Sequence, residues 1–188
     1  MNLKNKSWKI PIIITVTSIL VLVIYLWIFS DFFDKDGKPV REDVVIEFSD
    51  PDLVKYGIGE MTLFDDRNYI YKIPGWAFSK IDIDEPTDLY NTEIVLYRNN
   101  QNFVFDVIPR DRVDIKEAFK AYKVGNAGFD VIINRKAIPR GNYCIGILLT
   151  HKKNQSTYLF NTNRVIVNKL SGLTLLEEDV LFCDELLN

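Results

Sequence analysis

Histidine, cysteine and methionine are scarce in this 188-residue chain, which has one His, two Cys and two Met. With one histidine there is no His/Cys cluster for a structural zinc site. That residue, His151, sits in the polar stretch His151 to Ser156 beside Lys152 and Lys153, with no G-x-S-x-G or Cys partner nearby. A general base needs an oriented partner and a nucleophile within reach, so a catalytic His151 is not expected. The two cysteines, Cys144 and Cys183, permit one disulfide and demand none. Acids are missing from the first thirty residues: all 26 Asp/Glu follow Ser30, together with 20 of the 23 Lys/Arg, a net charge of −6 for that part. This balance excludes nucleic acid, which needs a positive surface to meet phosphates, and argues against a domain lying flat on anionic lipid. Internal repeats and low-complexity stretches are absent as well. No catalytic, cofactor-binding or metal-ligating residue is assigned from the sequence, and no cofactor is expected.

What is present begins with an apolar run. Ile10 to Ser30 are 21 consecutive uncharged residues rich in Ile, Leu and Val. About 20 such residues at ~1.5 Å rise cross the ~30 Å hydrocarbon core of a bilayer. A cleaved signal peptide would have a shorter apolar stretch and a small-residue cleavage site. Here the exit, Tyr25 to Phe33, is bulky and aromatic, which suits a membrane–water interface. Lys4, Lys6 and Lys9 precede the run, and Asp31 and Asp34 follow it. The expected layout is a cytoplasmic tail over 1–9, a transmembrane helix over 10–30, a linker over 31–43 and an extracytoplasmic domain over 44–188. The localisation that follows is a single-pass protein of the cell membrane.

Beyond the linker, short apolar runs alternate with turn residues. Val44 to Phe48 reads as a first strand; Tyr69 to Ile73 and Trp76 to Phe78 read as segments broken at Pro74-Gly75. Glu93 to Arg98 and Phe103 to Ile108 flank Asn99-Asn100-Gln101-Asn102, a hairpin signal. Phe129, Val131 and Ile133 alternate with polar residues. Tyr143, Ile145, Ile147 and Leu149 share one face of a strand, and Cys144, Gly146 and Leu148 share the other. Thr157 to Phe160 and Arg164 to Leu170 follow. Period-2 spacing in segments rich in Val, Ile, Tyr and Phe predicts an all-β, antiparallel two-layer β-sandwich, immunoglobulin-like or jelly-roll-like. One helix interrupts it: Asp114 and Glu117 have capping-box spacing, and Ile115, Ala118, Phe119 and Tyr122 share a face, predicting a helix over 114–122 that closes one end. In the tail, Thr174 to Leu176 suits a sheet, and Glu177 to Leu187 an amphipathic helix.

Several clusters have both a chemical and a plain reading. Asp82, Asp84, Glu85 and Asp88 put four carboxylates in seven residues, yet lack the glycine and distal glutamate of an EF-hand loop, so a solvated acidic loop is expected. Arg110 and Arg112 can fork onto an anionic ligand, but Asp111 and Asp114 lie beside them as simpler partners. Asn154-Gln155-Ser156 fits a glycosylation acceptor, which matters only in a eukaryotic secretory route. Trp76, after Pro74-Gly75, is expected to plug the core, and Phe103, Phe105, Phe129 and Tyr143 to face inward.

From Gly75-Trp76-Ala77-Phe78 through Glu93 to Tyr97, Phe103 to Asp106, Asn126 to Phe129 and Pro139 to Ile147, the order of features resembles a Gly-Trp-Ala type β-sandwich module. Such modules occur in bacterial membrane and surface proteins associated with surface polysaccharide assembly. The resemblance implies a sandwich at the bacterial cell surface and carries over no site residues. The Cys144 position is usually polar in that pattern, which implies an outward side chain. The function expected is a membrane-anchored binding or scaffolding module with a polysaccharide or an envelope protein as partner. The alternatives are an envelope-glycan hydrolase or transferase whose carboxylate pair the sequence does not choose, and an accessory subunit of an envelope or secretion complex.

Overall fold

The β5–β6 hairpin organises the domain. In the computed structural model, which describes residues 14–21, 37–42, 47–80, 89–99, 101–119, 124, 127–176 and 183, Tyr90–Arg98 (β5) and Gln101–Arg110 (β6) pair with Arg98 opposite Gln101. The loop is therefore two residues long, and Asn99 takes φ 43°, a left-handed conformation that Asn tolerates. β5 then pairs with Gly141–His151 (β8), β8 with Thr157–Lys169 (β9), and β9 with Gly172–Leu176 (β10). On the other side β6 pairs with Gly128–Asn134 (β7), β7 with Ile70–Ser79 (β4), and β4 with Val54–Ile58 (β2) and Thr62–Asp65 (β3). The short strand Arg41–Glu42 (β1) joins β6 at Val104 and Phe103. All these ladders are antiparallel, and they make the domain a mostly β, curled sheet in the order β10-β9-β8-β5-β6-β7-β4-β2.

The curl wraps one face around a common core. Ile73 and Ala77 of β4, Phe129 and Val131 of β7, Ile94 and Leu96 of β5, Tyr143 and Ile147 of β8, and Ile166 of β9 form one buried cluster. Phe103 and Phe105 belong to it, so the four aromatics expected inside are inside. The 13-residue β9 follows the curl through a bulge in which Thr162, Asn163 and Arg164 oppose Ile145 alone. There Thr162 Oγ1 donates to the Ile145 carbonyl at 2.7 Å.

The alternation read along β8 holds: Cys144 and Leu148 point away from the common core. Cys144 is not exposed, however. It is bonded to Cys183, and both sulfurs lie in a second buried cluster with Val95, Val165 and Phe48. A third cluster covers the outer face of β4. Val113–Ala118 (α2) lays Ile115 on Phe78, and Phe119 lies 5.5 Å from the Trp76 ring. The expected helix thus ends at Ala118 with Phe119 as its cap, 120–123 lie outside the described residues, and the helix covers a sheet face and not an end. Its N-cap is Arg112, without a side-chain cap, because the Asp114 carboxylate is held by the Arg112 guanidinium at 2.6 and 2.8 Å.

Other expectations change. Pro74-Gly75 does not break a strand: β4 runs straight through. The Pro74 carbonyl accepts from Gly59 N at 2.8 Å, just past the end of β2, so its nitrogen faces a gap between β2 and β3 where no ladder bond is lost. Trp76 is half-buried on the outer face, stacked 5.9 Å from Phe78, and does not plug the core. Of the expected first strand, 44–46 lie outside the described residues, Glu47 is not in a strand, and Phe48 makes one parallel bridge to Leu159. β2 and β3 were not foreseen, and β1 lies in the stretch read as linker.

The chain divides into two compact units, 1–36 and 37–188. In the first, residues 14–21 form an exposed helix (α1), with Thr17 Oγ1 donating to Ile14 O at 2.9 Å. The remainder of the 10–30 segment lies outside the described residues. The expected spanning helix is not supported: residues 14–21 are too short to cross, and among the described residues no helix is long and apolar enough to cross a membrane.

Candidate functional site

The site follows from the point where β5 and β6 part. Their ladder runs from Arg98–Gln101 to Glu93–Asp106 and stops. Beyond it β5 continues with β8 alone, Thr92 to Tyr90 opposite Leu149 to His151, while β6 turns to β7, Val107 to Arg110 opposite Val131 to Gly128. Two strands that were bonded diverge, and a cleft of about 580 Å³ opens between them. Tyr90, Val107, Pro109 and Phe129 supply its apolar surface; Arg41, Asn91, Thr92, Thr150 and Lys152 supply hydrogen-bonding groups around it.

Glu93 and Asp106 give the cleft its charge. As direct cross-strand partners they share a face, with Cβ atoms about 4.5–5.5 Å apart in such a pair. Like charges directly opposite are destabilising. Arg41 relieves the strain on one: from β1, its Nη2 donates to both Glu93 carboxylate oxygens at 2.5 Å. The Glu93 side chain is only 15% exposed, whereas Asp106 is exposed and forms no ion pair among the described residues. The repulsion between the two carboxylates sits at the mouth of this cleft.

A second cleft of about 590 Å³ lies between Ile58–Met61 and Leu173–Leu175, the two ends of the curled sheet. Ile58, Met61, Leu173 and Leu175 line it together with Glu60, Arg164 and Thr174. It is the seam of the curl.

The clusters singled out in the sequence resolve as follows. The acidic loop at 82–88 lies outside the described residues, and among the described residues no group of three His, Cys, Asp or Glu can hold a metal. Arg110 donates Nε to buried Asp130 at 2.7 Å, with Lys72 3.8 Å from the same oxygen; Arg112 forks onto Asp114, and Lys116 meets Asp111 at 2.8 Å. The guanidinium of Arg112 holds the Asp114 carboxyl down at about 2. Both arginines are therefore occupied by the chain's own carboxylates. His151 is not a loop residue but the last of β8, buried, with Nδ1 accepting from Asn154 N at 3.3 Å and its ring edge-on to Tyr90 at 5.0 Å. It closes the hairpin and backs the cleft. Asn154 Oδ1 accepts from the backbone and hydroxyl of Ser156, which shapes the turn.

The Glu93–Asp106 pair and Arg41 escaped sequence reasoning. The signal was the hairpin: a two-residue turn at Asn99-Asn100 pairs Glu93 with Asp106, while a four-residue turn would set Glu93 against Ile108. The chain matches no family model, no curated protein and no solved structure.

Proposed function

We propose that this chain is a membrane-anchored, extracytoplasmic binding module that takes a hydroxyl-rich ligand, a cell-surface glycan, in the cleft between β5 and β6. In this reading the curled sheet acts as a two-layer sandwich of the immunoglobulin-like kind, residues 10–30 tether it, and the Gly-Trp-Ala resemblance accounts for its setting. The observation that carries it is the fork itself. A carboxylate without an ion pair among the described residues (Asp106), an amide (Asn91) and hydroxyls (Thr92, Thr150) converge on an apolar floor, the mixture that orients a sugar. The Cys144–Cys183 bond supports the extracytoplasmic setting, because such bonds persist in oxidising compartments.

A second reading has one specific observation in its favour. Glu93 and Asp106 face each other across the ladder as a carboxylate pair, the residue set of a glycoside hydrolase, and Arg41 holds the Glu93 carboxylate in place. Binding is preferred because a general acid works in a site that excludes water, and Asp106 is open to solvent.

Calorimetric titration of the full chain in detergent with fragments of envelope polysaccharide separates these. Binding weakened about tenfold by Asp106→Asn, the loss of one charge-assisted hydrogen bond of ~1.5 kcal/mol, with Tm not lowered, is the expected result. No binding to any fragment, or equal binding by the variant, rejects the reading. Release of new reducing ends that Glu93→Gln abolishes would establish the hydrolase.

A further inference from the structure

Antiparallel pairing sorts the loops into two groups, one at each strand end. The cleft occupies the group where β5 begins and β8 ends. The opposite group contains the β3–β4 turn (66–69), the β5–β6 hairpin, the β7–β8 connection (135–140) and the β9–β10 turn (170–171). They are tied together. Arg98 Nη1 donates to the Arg140 carbonyl at 2.8 Å, Arg135 Nη1 donates to the carbonyls of Lys169 and Leu170, and Arg135 N donates to the Tyr69 carbonyl at 3.0 Å. Arg135 and Lys136 both lie over the Tyr69 ring, at 4.8 and 4.6 Å.

This end is basic although the domain is acidic. Arg67, Arg98, Arg135, Lys136, Arg140 and Lys169 gather there, and none forms a salt bridge with a described residue. The acids of the β3–β4 turn are Asp65 and Asp66. Asp65 is turned inward on its own turn, accepting from Arg67 N, Asn68 N and Asn68 Nδ2. Among the cations stand two exposed apolar groups, Tyr69 (38%) and Leu170 (71%). The chain also enters the domain on this side. The Gly37 carbonyl accepts from Asn134 N at 2.7 Å, beside the β7–β8 connection, and at φ +80° with a Cβ position 2.5 Å from that nitrogen only glycine fits. If residues 10–30 span the membrane, the seven steps from Ser30 to Gly37 reach at most about 25 Å.

We propose that this end of the domain docks on anionic phospholipid headgroups, the exposed Lys136, Arg140 and Lys169 facing the phosphates and Tyr69 and Leu170 entering the interface, so that the cleft points away from the membrane. Basic groups near the surface are drawn to anionic lipid, and Tyr rings settle at headgroup depth. The net charge of −6 argues against the whole domain lying flat on such a surface, but in end-on docking acids farther from it than a Debye length of about 8 Å are largely screened, while the cations of this end meet it directly. The inference rests on the anchor at residues 10–30 and is independent of what the cleft binds.

The test uses the full chain reconstituted in phosphatidylcholine vesicles with or without phosphatidylglycerol, carrying an environment-sensitive dye at Leu170→Cys or, as control, Lys152→Cys, with a headgroup-level quencher lipid. Quenching at 170 at least about threefold stronger in anionic vesicles, reduced by salt, is expected. Lys136→Glu with Lys169→Glu, both exposed and outside the buried clusters, should abolish the difference while a cooperative melt is retained, and the dye at 152 should stay unquenched. Equal quenching in both vesicles, no effect of charge reversal, or quenching at 152 in place of 170 overturns the docking. Chain removed from vesicles by a carbonate wash rejects the anchor and this orientation with it; chain retained with an unquenched dye at 170 rejects the docking alone.

Discussion

At the scale of single residues, neighbours in space decide what each side chain does. Trp76 lies over Gly57, whose Cβ position would fall 2.5 Å from the indole Nε1. Its other side meets Phe78 and Phe119. Trp76→Ala should cost about 2–3 kcal/mol, below the 3–5 of a fully buried Trp because the ring is half exposed. Gly57→Ala should cost ~1–3 kcal/mol by pushing the ring out of that stack. The double variant should be less destabilised than the two losses added, since each removes the same contact; urea melts of all three check this, and strict additivity would show that the ring does not depend on Gly57. Asp114 gives a pH prediction. Its folded carboxyl is held at about 2 by Arg112, so the stabilisation it contributes is present above the ordinary carboxylate range, near 3.8, and fades as pH falls toward 2. Carboxyl-carbon NMR should place its midpoint near 2 and return it to about 3.9 in Arg112→Ala. An unmoved midpoint would assign the shift elsewhere. Trp76 also shows how far the residue level was legible: a large ring after Pro-Gly marked a packing site, but which face it packed on depended on β4 continuing through Pro74.

Elements depend on register. Alternation identified the faces of β8 because period 2 survives whichever strand lies alongside, and the helix at 113–118 was visible from Ile115 and Phe119. The register of β5 with β6 was not visible, since Asn99 to Asn102 suits turns of two or of four residues, and only the two-residue turn brings Glu93 and Asp106 together. The disulfide is a fact of the same kind. Two cysteines 39 residues apart have no sequence signal for pairing, yet their Cα atoms lie 5.8 Å apart on the outer face of β8. Closing a loop of that length restricts the unfolded chain by about 4 kcal/mol in the chain-entropy account. Cys144→Ala with Cys183→Ala should therefore lower stability by about 3–4 kcal/mol, read from melts in the absence of reductant. A loss below about 1 kcal/mol would mean that the second cluster, with Phe48 and Val165, holds that face without the bond.

For the whole molecule, the sequence alone determined composition-level properties: an all-β domain from period-2 runs, an acidic sum, an apolar segment near the start, and a common core built from Phe103, Phe105, Phe129 and Tyr143. These are local or additive, and each can be read without knowing which strands are neighbours. The tertiary structure decided whatever depends on long-range pairing. It let β6 leave β5 for β7 and so open a cleft, brought Arg41 from the supposed linker onto Glu93, buried His151 against Tyr90, and gathered six cations at one end of an acidic domain. The physical reason is that charge and hydrophobicity sum along a chain, whereas a site is a juxtaposition. Antiparallel pairing turns sequence distance into spatial proximity by rules of turn length and strand order, and neither is written in the composition.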